Sequence, residues 1–183
     1  FISTSSLSLY KKLKRLRFYG IEFEDKKNKF NKKYYSNEHG TNSRISELNA
    51  SILNIKLPKV NEWINKRRYL AKTYRQNLLN TDLKLPIEKK NCKHVFHLFV
   101  VYHPKRDLII KKLNENKIQV NVNYPYPIHK MKAYKKFSSS NKKDLINTER
   151  FSKGIFSLPL YPKLKKNEIV KISNTLKKIL LKI

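Results

Sequence analysis

The sequence predicts an α/β or α+β domain, and three features of the second half of the chain indicate this fold class. Residues 95–102 form a nearly continuous apolar run, which is typical of a strand covered on both faces. Residues 118–124 alternate apolar with polar side chains and predict a half-buried strand. With a further strand at 155–160 and two helices, the predicted order from residue 93 is strand, helix, strand, loop, strand, helix.

The predicted helices follow from apolar side chains that recur every three or four residues. The first covers 7–19 and is followed by Gly20, where a helix C-cap is expected. Residues 21–39 are polar, without a period, and predict a loop. Two helices then meet near Pro58, which suits a first helical turn, and others cover 104–117 and the chain from Asn167. Their apolar stripes are Leu9, Leu13, Leu16 and Tyr19; Ile45, Leu48, Ile52 and Ile55; Val60, Ile64, Ala71, Tyr74 and Leu78; Leu108 and Leu113; and Ile169, Ile172, Leu176, Ile179 and Ile183.

Arg67 interrupts the third of these stripes. It lies between Ile64 and Ala71 on the apolar face of the predicted helix. A guanidinium in such a place must find an acceptor or extend beyond the apolar surface. Two roles are open to it at this point, a salt bridge to a carboxylate at the edge of the core and a contact to a bound anion.

The formal net charge of +29 suggests nucleic acid or another anionic surface as a partner. Only eight of the 42 basic residues are Arg, however, and lysines are scattered over every segment together with many Asn and Ile. An AT-rich coding sequence produces the same mixture, and Arg dominates direct base readout. A basic nucleic-acid-binding domain is therefore the alternative function and not the first.

Several classes of site lack their sequence signatures. The five His form neither HExxH nor a Cys/His zinc pattern, which argues against a metal site; His97 is predicted to be a hydrogen-bonded core histidine. Three Gly cannot build a GxGxxG motif or a P-loop. No apolar run approaches the ~18 residues of a membrane helix, and the single Cys92 fits a reducing compartment such as the cytoplasm.

The segment "NVNYPYPIHKMKAY", residues 121–134, is the clearest candidate for a binding site. Its prolines at 125 and 127 fix their own φ at about −65° and favour extended conformations at Tyr124 and Tyr126. Two tyrosines and His129 are therefore held stiffly just past a predicted strand. Rigid donors at a strand end suit a phosphorylated ligand, so these residues alone predict an anion site.

Three blocks extend this prediction. "GTNSRISELNASILNIKLPKVNEWINKRRYLAKTY" (40–74) is similar to G-x-N-x-R-x-x-E-x-x-A-A with a later R-R-x-x-A. "HVFHLFVV" and "NYPYPIH" (within 94–129) are similar to H-x-x-H-L-[FY]-V-V and H-Y-P-x-P-x-H, and "FSLPLYPKLKKNEI" (156–169) to L-S-L-P-x-x-P-x-[ML]-x-x-x-E-[IV]. In this order they resemble the C-terminal half of the DegT/DnrJ-type sugar-nucleotide aminotransferases, most closely the subgroup acting on dTDP-linked keto-deoxyhexoses.

This resemblance implies the aspartate-aminotransferase fold with a pyridoxal 5'-phosphate (PLP) cofactor. It divides the chain into the end of the large PLP-binding domain (1–44), connecting helices (45–80) and the C-terminal small domain (81–183). The family's Schiff-base lysine lies before the matched segment, so we expect Phe1 to be an internal position and the catalytic lysine to lie upstream of it. No catalytic residue is assigned here, and this piece by itself is not expected to transaminate.

The resemblance also implies a site shared between the subunits of a homodimer. Asn42 matches the family Asn that reaches the neighbouring subunit's PLP phosphate. Arg44 and Arg67 match arginines near the substrate end. Arg67 is our choice for the sugar-nucleotide diphosphate, because a planar guanidinium binds phosphate bidentately.

Asn123, Tyr124 and His129 match the H-Y-P-x-P-x-H motif and are assigned to substrate binding by the resemblance. Asn123 replaces the first His of that motif, which removes a possible cation. Two further departures are Asn116-Lys117 in place of the usual Gly, and Ser51 at the second Ala of the helix. Altered specificity, a divergent member and relaxed constraint all fit these departures.

The function implied is the transfer of an amino group, expected to come from glutamate, to a nucleotide-linked keto-sugar. Such a reaction serves the biosynthesis of deoxyamino sugars and surface polysaccharides in the cytoplasm, with no membrane and no specific nucleic acid as partner. A non-catalytic remnant left by truncation is a third hypothesis beside the nucleic-acid-binding domain.

Overall fold

The computed structural model describes residues 2–21, 35–137 and 145–183 of the 183-residue chain. These residues form six α-helices, two β-strands and three short 3₁₀ helices. Contacts between residues divide the chain into two compact units, Phe1–Pro58 and Lys59–Ile183. Most of the loop predicted over 21–39 lies outside the described residues.

The first unit begins with α1 (Leu7–Leu16), which ends earlier than the predicted limit of residue 19. Ser6 caps it by accepting a hydrogen bond from the backbone N–H of Leu9 at 3.3 Å. The helix ends because the chain turns left-handed, with a φ of 74° at Gly20. A Cβ on Gly20 would lie 1.8 Å from the carbonyl oxygen of Glu38, so only glycine fits there.

Backbone hydrogen bonds, rather than apolar packing, attach residues 36–43 to the end of α1. The N–H of Thr41 donates to the carbonyl of Leu16 at 2.8 Å. Phe18 pairs with Asn42 in an isolated antiparallel bridge. The first unit therefore owes its order to a close crossing of two backbone segments.

The second helix of this unit, α2 (Glu47–Lys56), presents its apolar stripe to solvent. Ser46 caps the helix by accepting from the N–H of Asn49 at 3.3 Å. None of the residues of α2 is buried. The exposed apolar side chains on and just after the helix are Leu48, Ile52, Leu53, Ile55 and Leu57.

The second unit holds the apolar core of the described residues. Its longest helix, α3 (Val60–Leu78), packs against α6 (Lys166–Leu180), which also packs against α4 (Arg106–Glu115). Pro58 lies in the 3₁₀ helix Leu57–Lys59, so α3 begins just after the proline instead of containing it. The apolar side chains that these three helices bury are Leu70, Ala71, Tyr74, Leu78, Ile109, Leu113, Ile169, Ile172, Leu176 and Ile179.

Two antiparallel strands complete this core. β1 (Phe99–Tyr102) pairs with β2 (Ile155–Leu158), with Phe99 opposite Leu158 and Tyr102 opposite Ile155. The strand predicted over 95–102 forms only in its second half, because Phe96 has a φ of 48°, outside the strand region. The strand predicted over 155–160 ends before Pro159, which has no N–H for a ladder.

The alternating segment 118–124 does not form the strand predicted for it. Asn121 forms an isolated bridge to β2: the N–H of Ser157 donates to the Asn121 carbonyl at 2.7 Å, and the reverse bond is 3.4 Å long. The pairing does not continue along the chain, because prolines without an N–H follow at 125 and 127. The alternation nevertheless reports burial, since its apolar members contact the core: Ile118, Val120 and Val122.

The region predicted as a loop before β2 contains short helices. The 3₁₀ helices span Ile128–Lys130 and Lys132–Phe137, and α5 spans Ile146–Ser152. The ring of Phe151 in α5 meets the ring of Tyr102 in β1 edge-on, with centroids 5.1 Å apart. Both side chains are partly buried, and their contact places α5 beside β1.

The buried histidine of this unit is His103, and the prediction for His97 is wrong. His97 is exposed because it precedes β1 instead of lying within it. His103 is 4% exposed, and its Nδ1 accepts a hydrogen bond from the N–H of Lys105 at 3.0 Å. The ring proton therefore lies on Nε2, which donates to Oδ2 of Asp82 at 2.7 Å.

Candidate functional site

Asn42 and Arg44, in the first unit, form one exposed polar cluster. The Nε of Arg44 donates to Oδ1 of Asn42 at 3.1 Å. The guanidinium of Arg44 also lies over the ring of Phe18, 4.5 Å from its centroid, in a cation–π contact. Because Phe18 pairs with Asn42 through the backbone, the ring, the guanidinium and the amide are fixed on the same crossing of the chain.

This cluster has the donors that an oxyanion requires. With Arg44 donating to Oδ1, the NH₂ group of the Asn42 amide is the end left for an acceptor. The first turn of α2 follows within a few residues, and its N–H groups add positive potential. A phosphate group, such as the one PLP carries, therefore fits the residues present.

Arg67 binds backbone carbonyls instead of the carboxylate that one of its two predicted roles required. Its Nη1 donates to the carbonyls of His97 and Leu160 at 2.9 Å each, and to the carbonyl of Phe96 at 3.3 Å. These carbonyls lie before β1 and after β2, so a single nitrogen joins two separate segments. Among the described residues, Nε and Nη2 have no hydrogen-bond partner.

In the guanidinium of Arg67, Nη1 is therefore hydrogen-bonded within the protein, whereas the edge formed by Nε and Nη2 is left for a ligand. Three carbonyls fix Nη1 and remove much of the rotational freedom of the side chain. The edge formed by Nε and Nη2 is one of those that bind an oxyanion with two parallel hydrogen bonds. A ligand that met this edge would lose less ordering entropy than with a free arginine.

Other arginines of α3 hold the segment that precedes β1. The Nη1 of Arg68 donates to Oε1 of Glu88 at 2.7 Å, and Arg75 donates to the carbonyl of Pro86. The backbone N–H of His94 donates to the same Glu88 oxygen at 2.8 Å. The hydrogen bond from Arg68, followed by that from His94, lowers the pKa of the Glu88 carboxyl.

The three predicted site residues of segment 121–130 have different surroundings. Oδ1 of Asn123 accepts from the hydroxyl of Ser157 at 3.2 Å. Tyr124 is 83% exposed, and its neighbour Tyr126 is 69% exposed, so both phenols are free to meet a ligand. His129 is turned inward, with its Nε2 3.0 Å from a carboxylate oxygen of Glu149.

Glu149 is a residue of this site that sequence reasoning missed. Its Oε1 accepts from Nε2 of His129 and from Nζ of Lys130, both at 3.0 Å. These two hydrogen bonds, the one from His129 first, lower the pKa of the carboxyl. Glu149 lies 20 positions from His129, in a region that the sequence predicted as a loop, and two residues so far apart leave no periodic signal that could have revealed the pair.

Glu149 also lines an open cleft of about 410 Å³. Its remaining lining residues lie at or just after the end of β1, and in or just after α5: Tyr102, Pro104, Ile146, Arg150 and Lys153. Glu149 is thus shared between the contact to His129 and a cleft that has two cationic side chains, Arg150 and Lys153. Such a surface favours negatively charged groups.

The structure brings some of the predicted residues together. Asn123 binds Ser157 within β2, and Arg67 binds the carbonyl of Leu160 just beyond the same strand. Both are thus attached to one short stretch of chain, whereas His129 is tied to α5. Asn42 and Arg44 form a separate cluster in the first unit.

Two other kinds of site find no support within the described ranges. No helix there is both long and apolar enough to cross a membrane. Nor do three His, Cys, Asp or Glu side chains of those ranges gather in a way that could hold a metal ion.

Comparison with known proteins identifies relatives over nearly the whole chain. Residues 1–177 match the sequence profile of the DegT/DnrJ/EryC1/StrS aminotransferase family. The chain is 37% identical over 157 residues to dTDP-3-amino-3,4,6-trideoxy-alpha-D-glucose transaminase of Micromonospora megalomicea subsp. nigra, covering 83% of this chain and 40% of that protein. The chain spans less than half the length of the curated relatives it matches.

Solved structures agree with these relatives. DesV of S. venezuelae is similar with a TM-score of 0.85 and 28% identity, over 96% of this chain and 45% of that one. NtdA of Bacillus subtilis, solved with bound cofactor PMP, is similar with a TM-score of 0.80 and 28% identity, over 98% of this chain and 41% of that one. The predicted fold class, part of a transferase of the aspartate-aminotransferase type, is thereby confirmed.

Proposed function

Because the chain belongs to the DegT/DnrJ/EryC1/StrS aminotransferase family, we propose that it supplies the C-terminal part of a PLP-dependent sugar-nucleotide aminotransferase. The complete enzyme transfers an amino group from glutamate to a nucleotide-linked keto-sugar, for the synthesis of deoxyamino sugars and surface polysaccharides. The observation that carries this proposal is the match over residues 1–177, joined to the transaminase activity named for the relatives.

PLP, when bound, supplies the electron sink that amino transfer requires. The residues of this chain contribute binding and orientation, and we place the catalytic lysine outside them. Asn42 donates through its amide NH₂ to the cofactor phosphate held in the other subunit. Its orientation is supported by the bond from Arg44 to Oδ1, which leaves only donors on the other end of the amide.

Arg67 contacts the diphosphate of the sugar nucleotide in this proposal. The support is its geometry: Nη1 is fixed by three carbonyls, and the Nε–Nη2 edge is available. Arg44 lies near the same substrate, and segment 121–130 contributes Asn123, Tyr124 and His129. The proline-stiffened backbone lowers the entropy lost when these residues meet their ligand.

We further propose that the complete enzyme is a cytoplasmic homodimer. The support for the dimer comes from α2, whose apolar side chains are exposed in this chain. Large exposed apolar patches usually mark interaction sites. In this arrangement residues 1–44 end the large domain, 45–80 are connecting helices and 81–183 form the small domain. The apolar face of α2 is then covered by the large domain and the partner subunit.

Substitutions of Asn42 and Arg67 in the complete enzyme test the proposal, because the two should fail differently. Asn42→Ala removes a hydrogen bond to a charged group, about 1.5–3 kcal/mol, and should weaken PLP retention. Arg67→Ala should leave the glutamate half-reaction near normal and raise the KM for the sugar nucleotide, as loss of uniform binding does. The measurements are both half-reactions by stopped flow, and PLP occupancy after dialysis.

Arg67→Lys separates the two roles of the arginine. A lysine ammonium can still donate to the carbonyls of His97 and Leu160, but it cannot form the paired contact to a diphosphate. We expect a stability near that of the unaltered enzyme with a raised sugar-nucleotide KM. If Arg67→Ala lost PLP while this KM stayed constant, the assignment to the diphosphate would be wrong.

A further inference from the structure

We propose that Glu149 is a positioning residue for substrate binding, which fixes His129 and the tyrosine-bearing segment 124–130 on α5. The inference rests on the proposed function, since the substrate is the nucleotide-linked sugar. It adds a residue to which the family resemblance assigned no role. A single carboxylate oxygen of Glu149 accepts hydrogen bonds from two consecutive residues of the segment, His129 and Lys130.

The contacts place Glu149 at the end of the stiff part of the segment. Its Oε1 accepts from Nε2 of His129 and from Nζ of Lys130 at 3.0 Å each. The side chain of His129 is 17% exposed and that of Glu149 33% exposed, so water competes only partly for the contact. The prolines at 125 and 127 stiffen the backbone before this point. Rigidity has a use only if the end of the rigid stretch is anchored, and Glu149 provides that anchor.

Glu149 can act as an anchor because α5 is itself held in place. Two residues after Glu149, Phe151 packs edge-on against Tyr102 of β1. Arg106 at the start of α4 donates through Nη1 to the carbonyl of Ser152 at 2.7 Å. The N–H of His103 donates to the carbonyl of Gly154 at 3.0 Å, directly after α5. These contacts to β1 and to the start of α4 hold α5 in place, and the Glu149 carboxylate in turn holds His129 and Lys130.

The contact also orients the imidazole of His129. With Nε2 donating to Glu149, Nδ1 is the ring nitrogen left for a ligand. Nδ1 has no hydrogen-bond partner within the described residues. Tyr124 and Tyr126, on the same anchored segment, expose their phenols. Loss of Glu149 should therefore disturb the binding of the sugar nucleotide. Residues that contact only the cofactor should keep their positions.

The test compares Glu149→Ala and Glu149→Gln with Glu115→Ala in the complete enzyme. Glu115 is a matched control, because it is a glutamate paired with a lysine, Lys112 at 3.1 Å, on the exposed face of α4. We expect Glu149→Ala to raise the sugar-nucleotide KM about tenfold or more, because it removes a charge-assisted hydrogen bond that positions His129. The glutamate half-reaction should change less than about twofold. Glu149→Gln keeps an acceptor without the charge and should recover part of the loss, and Glu115→Ala should change nothing.

A spectroscopic signal tests the contact without the reaction. Proton NMR of the enzyme labelled with ¹⁵N-histidine should show a slowly exchanging imidazole N–H for His129, assigned by its loss in His129→Gln. This signal should vanish in Glu149→Ala, whereas the N–H of buried His103, bonded to Asp82, should persist as the internal control. The persistence of the control signal shows that the fold is intact.

The outcomes separate this inference from the proposed function. Absence of the His129 signal in the unaltered enzyme would overturn the contact and the inference with it. A lost signal in Glu149→Ala with an unchanged sugar-nucleotide KM would overturn the positioning role and leave the proposed function standing. An unaltered enzyme that aminates no nucleotide-linked sugar would overturn the proposed function, even if the His129 signal behaved as expected.

Discussion

The two units of the chain are ordered by different means. In the second unit, helices and a two-stranded sheet enclose a core that includes Tyr74, Phe99 and Leu176, each with no exposed surface. In the first unit, Gly20 is the only buried residue among those described, and the order comes from backbone hydrogen bonds. Apolar side chains of α2 such as Leu48, 71% exposed, contribute nothing to a core in this chain.

This difference indicates where each unit can obtain its stability. Burial of apolar surface is the main favourable term in folding, and the second unit has that term within itself. The first unit exposes the apolar side chains whose burial would stabilise it. Its stability therefore depends on contacts that bury them, and in the proposed enzyme the large domain and the partner subunit make these contacts. Asn42, the proposed contact to the cofactor phosphate, lies on the first unit, whereas Arg67 and His129 lie on the second.

The largest expected effect comes from a paired truncation of leucines. Leu176→Ala opens a cavity in the core of the second unit and should lower the free energy of unfolding by about 2–5 kcal/mol. Leu48→Ala on α2 should change it by less than about 0.5 kcal/mol in this chain. Urea denaturation followed by circular dichroism measures both values. Equal losses for the two variants would show that the first unit has a core of its own.

A smaller effect is expected where α5 meets β1. A Cβ on Gly154 would lie 2.4 Å from Cε2 of Tyr102 and 2.8 Å from the carbonyl oxygen of His103. Gly154→Ala should therefore overpack this contact and cost about 1–3 kcal/mol. The neighbouring Lys153→Ala, on an exposed side chain, is the control and should be close to neutral. A stable Gly154→Ala would mean that α5 can move away from β1, and it would weaken the anchor argued for Glu149.

The smallest effect is expected from acidification. Hydrogen bonds from Arg68 and His94 lower the pKa of Glu88 in the folded chain. The ionised carboxylate therefore stabilises the second unit above the ordinary glutamate pKa of about 4.3. That contribution is lost as the pH falls through the lower folded value. Glu88→Gln should be less stable than the unaltered chain at pH 7, and the two urea midpoints should converge at acid pH. Midpoints that stay a constant distance apart would contradict this reading of Glu88.

Sequence periodicity predicted the helices well and the strands less well. The apolar stripes of α3 and α6 correspond to buried side chains, because a helix of many turns repeats its signal several times. The segment 118–124 has the alternation of a strand but forms a single bridge at Asn121. Alternation reports which side chains are buried, whereas a ladder also needs a partner strand in register, which local sequence does not encode.

In the candidate site, too, some features were predicted from the sequence and others depended on the tertiary structure. The sequence motifs identified Asn42, Arg67 and His129 as candidate site residues, because residue types at a fixed spacing can be recognised without knowledge of the fold. That Arg67 would meet three carbonyls, and that His103 rather than His97 would be the buried histidine, depended on segments brought together over long separations. His97 also shows how a backbone angle, the positive φ of Phe96, overrides an apolar run.

The sequence by itself determined the family, the fold class, the helical stripes and the stiff Tyr-Pro-Tyr-Pro segment, because each is a local pattern or an ordered set of motifs. The tertiary structure alone decided which groups share a proton or a carbonyl: Glu149 with His129 and Lys130, Asp82 with His103, and Arg67 with both flanks of the sheet. The physical reason is that hydrogen bonds act over about 3 Å, and only the packed chain brings groups so distant in sequence within that range.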